Sequence, residues 1–157
     1  MKQVTIIPKD ASNEKKWCAQ AIVACTDFEI EEILVSVLRG FGIHPIVSDS
    51  LEEIGALLAE EETVMAFSQT NLPDGSFQKV LSAAEIRASK VPVILCSELY
   101  DEDLYIDVMS MGAFEYLAFP CDREEVEWVV NNAIKWGPLL GGTQGHRAGL
   151  VSLHGAS

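Results

Sequence analysis

The sequence predicts an α/β fold in which a doubly wound, five-stranded parallel sheet carries helices on both faces. Five apolar runs of strand length alternate with five segments whose apolar residues recur at helical spacing, and the connections between them are short. Such alternation favours right-handed crossovers, which make the strands parallel and place helices on both sides of the sheet. At 157 residues the chain is long enough to bury a core without disulfides or metals.

Each strand and helix is predicted from its own local pattern. The strands are expected at residues 21–24, 45–47, 64–67, 91–95 and 113–119. The first helix follows from apolar spacing, the second opens with the capping box Ser50 and Glu53, and Asp122 caps the fifth. The apolar positions that define the five helices are Ile30, Ile33, Leu34, Val37 and Leu38; Leu51, Ile54, Leu57 and Leu58; Phe77, Val80, Leu81 and Ala84; Leu104, Val108 and Met111; and Val126, Val129, Val130, Ala133 and Ile134.

The chain is predicted to hold one domain between two tails. Residues 1–19 form a polar lead-in with a candidate extra strand at Val4, Ile6 and Ile7, and residues 20–136 form the domain. Residues 137–157 are rich in glycine and are expected to be a flexible tail. The alternative for this tail is a docking segment built on Leu150, Val151 and Leu153.

Charge and cysteine usage exclude several classes of function. The net charge of −13 and the pI near 4.5 disfavour binding to nucleic acids and to anionic membranes. No apolar run suits a membrane span or a secretory signal, so a cytoplasmic location is expected. The four cysteines, Cys18, Cys25, Cys96 and Cys121, lack the spacing of a metal site or a disulfide framework. We therefore expect reduced thiols, no metal and no cofactor.

The stretch from Val64 to Ser76, VMAFSQTNLPDGS, is where a functional site is expected. A buried strand ends there and a Pro-Asp-Gly turn begins. Ligands of open α/β sheets bind outside the carboxyl ends of the strands, which points to the segment 68–71. That segment contains no carboxylate, and Gln69 offers a neutral amide instead.

The order and spacing of these landmarks resemble the receiver domains of bacterial two-component response regulators, which have a flavodoxin-like (βα)5 fold. The resemblance covers residues 20–136. It rests on AIVACTDFEI at the first strand and helix, QTNLPDG after the third strand, VPVILCS at the fourth, MGAFEYLAFP at the fifth and DREEVEWVV at the last helix. The resemblance implies a signalling domain rather than an enzyme.

The positions that carry phosphoryl chemistry in that family are altered in this chain. The resemblance places the magnesium-binding acidic pair at Cys25 and Thr26, the phosphoacceptor aspartate at Gln69 and the phosphate-pairing lysine at Phe119. Magnesium prefers carboxylate oxygens, and an amide cannot form an acyl phosphate. Asp27 and Asp74 lie nearby, but neither occupies the strand-end position. We therefore expect neither metal binding nor standard phosphorylation.

Other positions implied by the resemblance are retained or point to a surface. Ser97 matches the responding Ser or Thr, and Tyr116 matches the switch aromatic. In the family, the last two helices and the last strand form the surface for dimers or partners. On the last helix, Trp128 and Asn132 should point outward beside the buried valines and mark this interface.

The sequence therefore predicts a stand-alone, pseudo-receiver type signalling domain of a two-component (phosphorelay) system that acts by phosphorylation-independent protein–protein interaction. Its partner would be a kinase, another regulator or a second copy bound through the last two helices and last strand. The alternative is a small redox or ligand-binding α/β protein that uses Cys25, whose pKa the following helix N-terminus would lower. Phosphorylation by another route is also left open.

Overall fold

The structure, a computed structural model, describes residues 19–86, 91–98 and 100–136, and its centre is the predicted parallel sheet. The strands are β1 (Gln20–Ala24), β2 (His44–Val47), β3 (Thr63–Gln69), β4 (Val93–Ser97) and β5 (Glu115–Ala118). They pair in the order β2-β1-β3-β4-β5, and every pair is parallel. The predicted fold class is confirmed.

Five helices cover the two faces of the sheet: α1 (Phe28–Gly40), α2 (Leu51–Leu58), α3 (Phe77–Ile86), α4 (Glu102–Ser110) and α5 (Arg123–Trp136). Helices α1 and α5 pack on one face, and α2, α3 and α4 pack on the other. Side chains alternate along each strand, so Val23 joins the first core and Ile22 the second. The candidate strand at residues 4–7 and the predicted tail at 137–157 lie outside the described residues.

Proline shifts the fourth strand relative to its predicted bounds. Pro92 has no N–H to donate to the ladder, although its carbonyl accepts a hydrogen bond from the Ala66 N–H (3.0 Å). Regular pairing therefore begins at Val93 and continues to Ser97. The fifth strand is shorter than the predicted 113–119, since regular pairing covers Glu115–Ala118.

The loop after β3 folds into a short hairpin that is fastened to α2. Residues Asn71–Leu72 pair antiparallel with Gly75–Ser76. The Asp74 carboxylate accepts a hydrogen bond from the Leu51 N–H (3.1 Å), one of the free donors at the start of α2. Gly75 lies against the Leu51 side chain so closely that a Cβ there would collide with it. The loop next to Gln69 is thus positioned by a neighbouring helix.

A polar contact joins α1 to α5 at the surface. The Arg123 guanidinium donates to the Ser36 hydroxyl (2.8 Å) and forms an ion pair with Glu127 one turn along its own helix (3.1 Å). Beneath it, the apolar sides of both helices share one core. Within the described ranges, no helix combines the length and the apolar character that crossing a bilayer requires.

A pair of glycine substitutions tests the fastening of the hairpin. Gly75→Ala should lower the free energy of unfolding by about 1 kcal/mol, because the new methyl group must displace Leu51. Gly55→Ala, in the middle of α2 and with no neighbour within 4 Å of the added Cβ, should raise it by about 0.5 to 1 kcal/mol. Urea unfolding of both variants gives the comparison. Equal effects at the two positions would contradict this close packing.

Candidate functional site

The carboxyl ends of β1 and β3 meet where the strand order reverses, and Gln69 bridges them. The sheet order places β1 beside β3, and connections leave these strands in opposite directions, which opens a crevice between them. The Gln69 amide oxygen accepts hydrogen bonds from the Thr26 N–H, the Asp27 N–H (3.1 Å) and the Thr26 hydroxyl (3.3 Å). The structure thus brings Gln69 and Thr26 together, as the sequence predicts.

This bridge has a defined electrostatic character. Its acceptor is a neutral amide oxygen, and two of its donors are backbone amides of the loop that leads into α1. Such loops and helix N-termini attract negative charge. Here the neutral Gln69 amide oxygen accepts the hydrogen bonds of the Thr26 and Asp27 N–H groups, so the bridge adds no net charge to the crevice.

The thiol at the end of β1 does not have the lowered pKa that the sequence suggests. Cys25 is buried, and its Sγ donates to the Asp27 carbonyl (3.2 Å). Burial raises the pKa of the Cys25 thiol to about 11 and outweighs the backbone contacts that lower it. Burial likewise raises the pKa of Cys121 to about 11 and that of Cys96 well above its usual range. The lowered pKa of Cys25 on which the alternative function depends is therefore contradicted.

Two carboxyl groups face each other at the mouth of the crevice. Asp27 caps α1 by accepting from the Glu29 and Ile30 N–H groups (2.9 and 3.1 Å), and the Ile30 contact, together with a hydrogen bond from Glu98, lowers its pKa. The same hydrogen bond and the charge of Asp27 raise the pKa of Glu98. Glu98 is therefore the first of the two to take up a proton, and its protonated carboxyl group donates a hydrogen bond to the Asp27 carboxylate. No motif in the sequence marks Glu98, although it directly follows Ser97 at the end of β4.

The donor set at the predicted metal position does not fit magnesium. Cys25 is a protonated thiol at neutral pH, Thr26 offers a hydroxyl, and the Gln69 oxygen already accepts hydrogen bonds from the protein. Magnesium requires hard oxygen ligands in near-octahedral geometry and usually takes carboxylates. Among the residues that the structure describes, no group of three or more His, Cys, Asp or Glu side chains could hold a metal ion.

Phe119 forms part of a cleft beside the bridge. Its side chain is buried, at 7% exposure, and stands immediately after β5 where the resemblance implies a lysine. The cleft has a volume of about 500 Å³ and lies between the start of α1, the end of β4 and the start of α5. It is lined by Asp27, Glu29, Ile30, Ile33, Glu98, Phe119, Pro120 and Cys121.

The two predicted switch residues lie on neighbouring strands, Ser97 at the end of β4 and Tyr116 within β5. Ser97 ends β4 and is partly buried. Tyr116 is buried, and its hydroxyl accepts a hydrogen bond from the Asp101 N–H (3.2 Å) at the start of α4. Its ring packs against those of Tyr100 and Tyr105, with centroids 5.6 and 6.0 Å away. Tyr116 thus connects the last strand to α4.

The predicted outward-facing pair on α5 is not an exposed surface. Asn132 is buried at 8% exposure, and its side-chain amide donates to the Trp128 carbonyl one turn earlier (2.8 Å). Trp128 is half-buried and packs against the core shared by α1 and α5. The prediction for Asn132 was wrong because α5 buries a wider face than its valines mark, and a polar side chain is tolerated there once its own helix satisfies it.

Sequence comparison finds relatives among response regulators. The chain is 24% identical over 116 residues to the response regulator protein PilR of Pseudomonas aeruginosa. This alignment covers 74% of this chain and 26% of PilR. It is 28% identical over 108 residues to the transcriptional regulator NtrC of Salmonella typhimurium. This second alignment covers 69% of this chain and 23% of NtrC. The chain thus spans about a quarter of the length of these curated relatives. No family model matches the chain.

Solved structures show the same architecture. A response regulator receiver domain protein from Clostridium thermocellum aligns with a TM-score of 0.64 at 24% identity, over 74% of this chain and 94% of the other. The beryllofluoride-activated NtrC4 receiver domain dimer aligns with a TM-score of 0.67 at 20% identity. The alignment covers 74% of this chain and 96% of the NtrC4 chain. Together with the strand order and the position of the site, these similarities show that the chain has the receiver fold of the response regulators.

Proposed function

We propose that this chain is a receiver-like signalling domain of a two-component type system that acts through protein–protein interaction without being phosphorylated. The observation that carries the proposal is the Gln69 bridge. An amide stands at the end of the central strand, and the backbone at Thr26 and Asp27 donates to its oxygen. The group in the phosphoacceptor position is therefore both unreactive and already bonded.

The surrounding side chains support the same proposal. Acyl-phosphate formation needs a carboxylate nucleophile and a divalent cation that neutralises the incoming phosphate. Gln69 provides no nucleophile, and Cys25 and Thr26 replace the acids that would hold the cation. Phe119 replaces the positive charge that would pair with the phosphate, and its apolar ring is buried at that position.

The kind of interaction follows from the relatives and from the charge of the surface. The NtrC4 receiver structure is described as a dimer, and PilR and NtrC are named as regulators. In this chain, α4 carries Glu102, Asp103 and Asp107 but no lysine or arginine. A symmetric dimer through α4 would oppose like charges, so we favour a separate protein partner, such as a kinase or another regulator, over self-association or a nucleic acid. We place the protein in the cytoplasm.

Partner binding could act through the contact between β5 and α4. We propose that a bound partner biases Tyr116 and Ser97 between two arrangements, of which the inward Tyr116, bonded at the start of α4, is one. Relaxation-dispersion NMR of the α4 amides should then detect exchange that Tyr116→Phe alters. A single rigid state in both proteins would contradict a switch.

The proposal predicts the outcome of phosphotransfer. Incubation with acetyl phosphate and magnesium should leave the mass of the wild-type protein unchanged, because Gln69 cannot form an acyl phosphate. Gln69→Asp alone should also remain unmodified, since Cys25 and Thr26 supply no carboxylate to hold a metal beside it. The combined variant Cys25→Asp, Thr26→Asp, Gln69→Asp and Phe119→Lys should gain a phosphoryl group if it folds, which circular dichroism checks. A wild-type adduct that hydroxylamine removes would overturn the proposal.

A redox or thiol function is the second candidate, and the raised pKa of Cys25 opposes it. Alkylation by iodoacetamide, followed for each cysteine by peptide mass spectrometry, should have a midpoint near pH 11 for Cys25 and Cys121 in the folded protein. The same thiols in urea should react with a midpoint near about 8.5. Because only the thiolate reacts, rapid modification of folded Cys25 at about pH 7 would favour the redox function instead.

A further inference from the structure

We propose that the cleft lined by Asp27, Glu98 and Phe119 binds a positively charged side chain, arginine above all, that a partner protein presents on an apolar segment. The inference rests on the proposed function, because it names the chemistry of the partner and the place where it binds. The partner would therefore bind at the cleft rather than at the predicted interface on α5, where Asn132 is buried.

The shape and floor of the cleft suit a side chain with an apolar stem. Its volume of about 500 Å³ is in the range of small-ligand pockets. Ile30 and Phe119 are almost fully buried beneath it, and Ile33 and Pro120 complete an apolar wall. Arginine and lysine bury their methylene stems on such surfaces while the charged head stays at the polar rim.

The rim carries three acidic side chains from two elements. Asp27 precedes α1, Glu29 lies in its first turn, and Glu98 follows β4. Among the described residues that line the cleft, none is basic. Asp27 and Glu98 lie within hydrogen-bonding range, and their hydrogen bond, followed by the repulsion between the two charges, raises the pKa of Glu98. A cation between them would remove this repulsion in place of a proton.

Guanidinium fits the arrangement better than other charged groups. Its planar fork donates to two carboxylates at once, whereas an ammonium ion acts as a compact point charge. A divalent metal needs several ligands in a close group, and no group of three or more His, Cys, Asp or Glu side chains among the described residues could hold one. Phosphate or nucleic acid would be repelled by the rim.

The excess of acids in the chain argues for a different protein as the occupant. The sequence holds 24 aspartates and glutamates against 11 lysines and arginines. A second copy would therefore bring mostly like charge to the cleft, while a basic partner would be steered toward it at moderate ionic strength.

A pair of blocked dipeptides tests the proposal on the full chain. Acetyl-leucyl-arginine amide should shift the backbone NMR resonances of Ile33, Glu98, Phe119 and Cys121 in a saturable manner. The citrulline analogue has the same shape without the charge and should bind about tenfold more weakly, equivalent to about 1.4 kcal/mol. Equal binding of the two peptides, or shifts confined to other surfaces, would overturn the proposal.

Two charge-matched variants locate the effect. Glu98→Gln should weaken the arginine peptide about tenfold, because it removes one of the facing carboxylates. Glu52→Gln removes the same charge from the exposed start of α2 and should leave the affinity unchanged. Both residues are exposed, so the fold should survive both changes. Equal weakening in the two variants would mean that only the overall charge matters, which would contradict a site.

Two further outcomes separate this inference from the proposed function. Agmatine carries the guanidinium group without a peptide, and if it bound as tightly as the dipeptide, the assignment to a protein partner would be wrong. Phosphorylation of the wild-type chain by acetyl phosphate would overturn the phosphorylation-independent function even if the peptide still bound at the cleft. If the chain stayed unphosphorylated and did not bind the peptide, the cleft would not be the binding site, while the phosphorylation-independent function would stand.

Discussion

The hydrogen bonds between the Gln69 amide oxygen and the backbone at Thr26 and Asp27 are the interaction on which the rest of the site depends. They join the ends of two adjacent parallel strands at the point where the sheet order reverses. An amide oxygen satisfies these donors without introducing a full charge. The receiver architecture is therefore retained around a neutral centre, in which a buried thiol at Cys25 and an apolar ring at Phe119 cost little.

The fold was predictable because the local and global signals agree. The five strand and helix pairs follow from apolar periodicity, and α2 begins as predicted at Ser50, whose side chain accepts a hydrogen bond from the Glu53 N–H. The differences are small and have local causes, such as the late start of β4 after Pro92. The place of Gln69 was predictable for the same reason, since a residue that ends a central strand of this fold must lie at the site.

What the sequence could not provide were interactions between loops distant along the chain. Glu98 faces Asp27 only because the ends of β4 and β1 lie at the same edge of the sheet, and nothing in the local sequence marks the encounter. The pKa of Cys25 depends on a competition between burial and nearby backbone dipoles, and its outcome requires the packed structure. Asn132 was misassigned for a related reason, because periodicity does not show how wide a face α5 buries.

The contact between Arg123 and Ser36 has a consequence for the cleft. It joins the second half of α1 to the first residue of α5, and the shared core beneath fixes the separation of the two helices. The walls on either side of Phe119 are therefore preorganised, so a ligand would not have to order them when it binds. The conformational entropy lost on association would then fall mainly on the incoming segment, which favours a partner that is itself rigid.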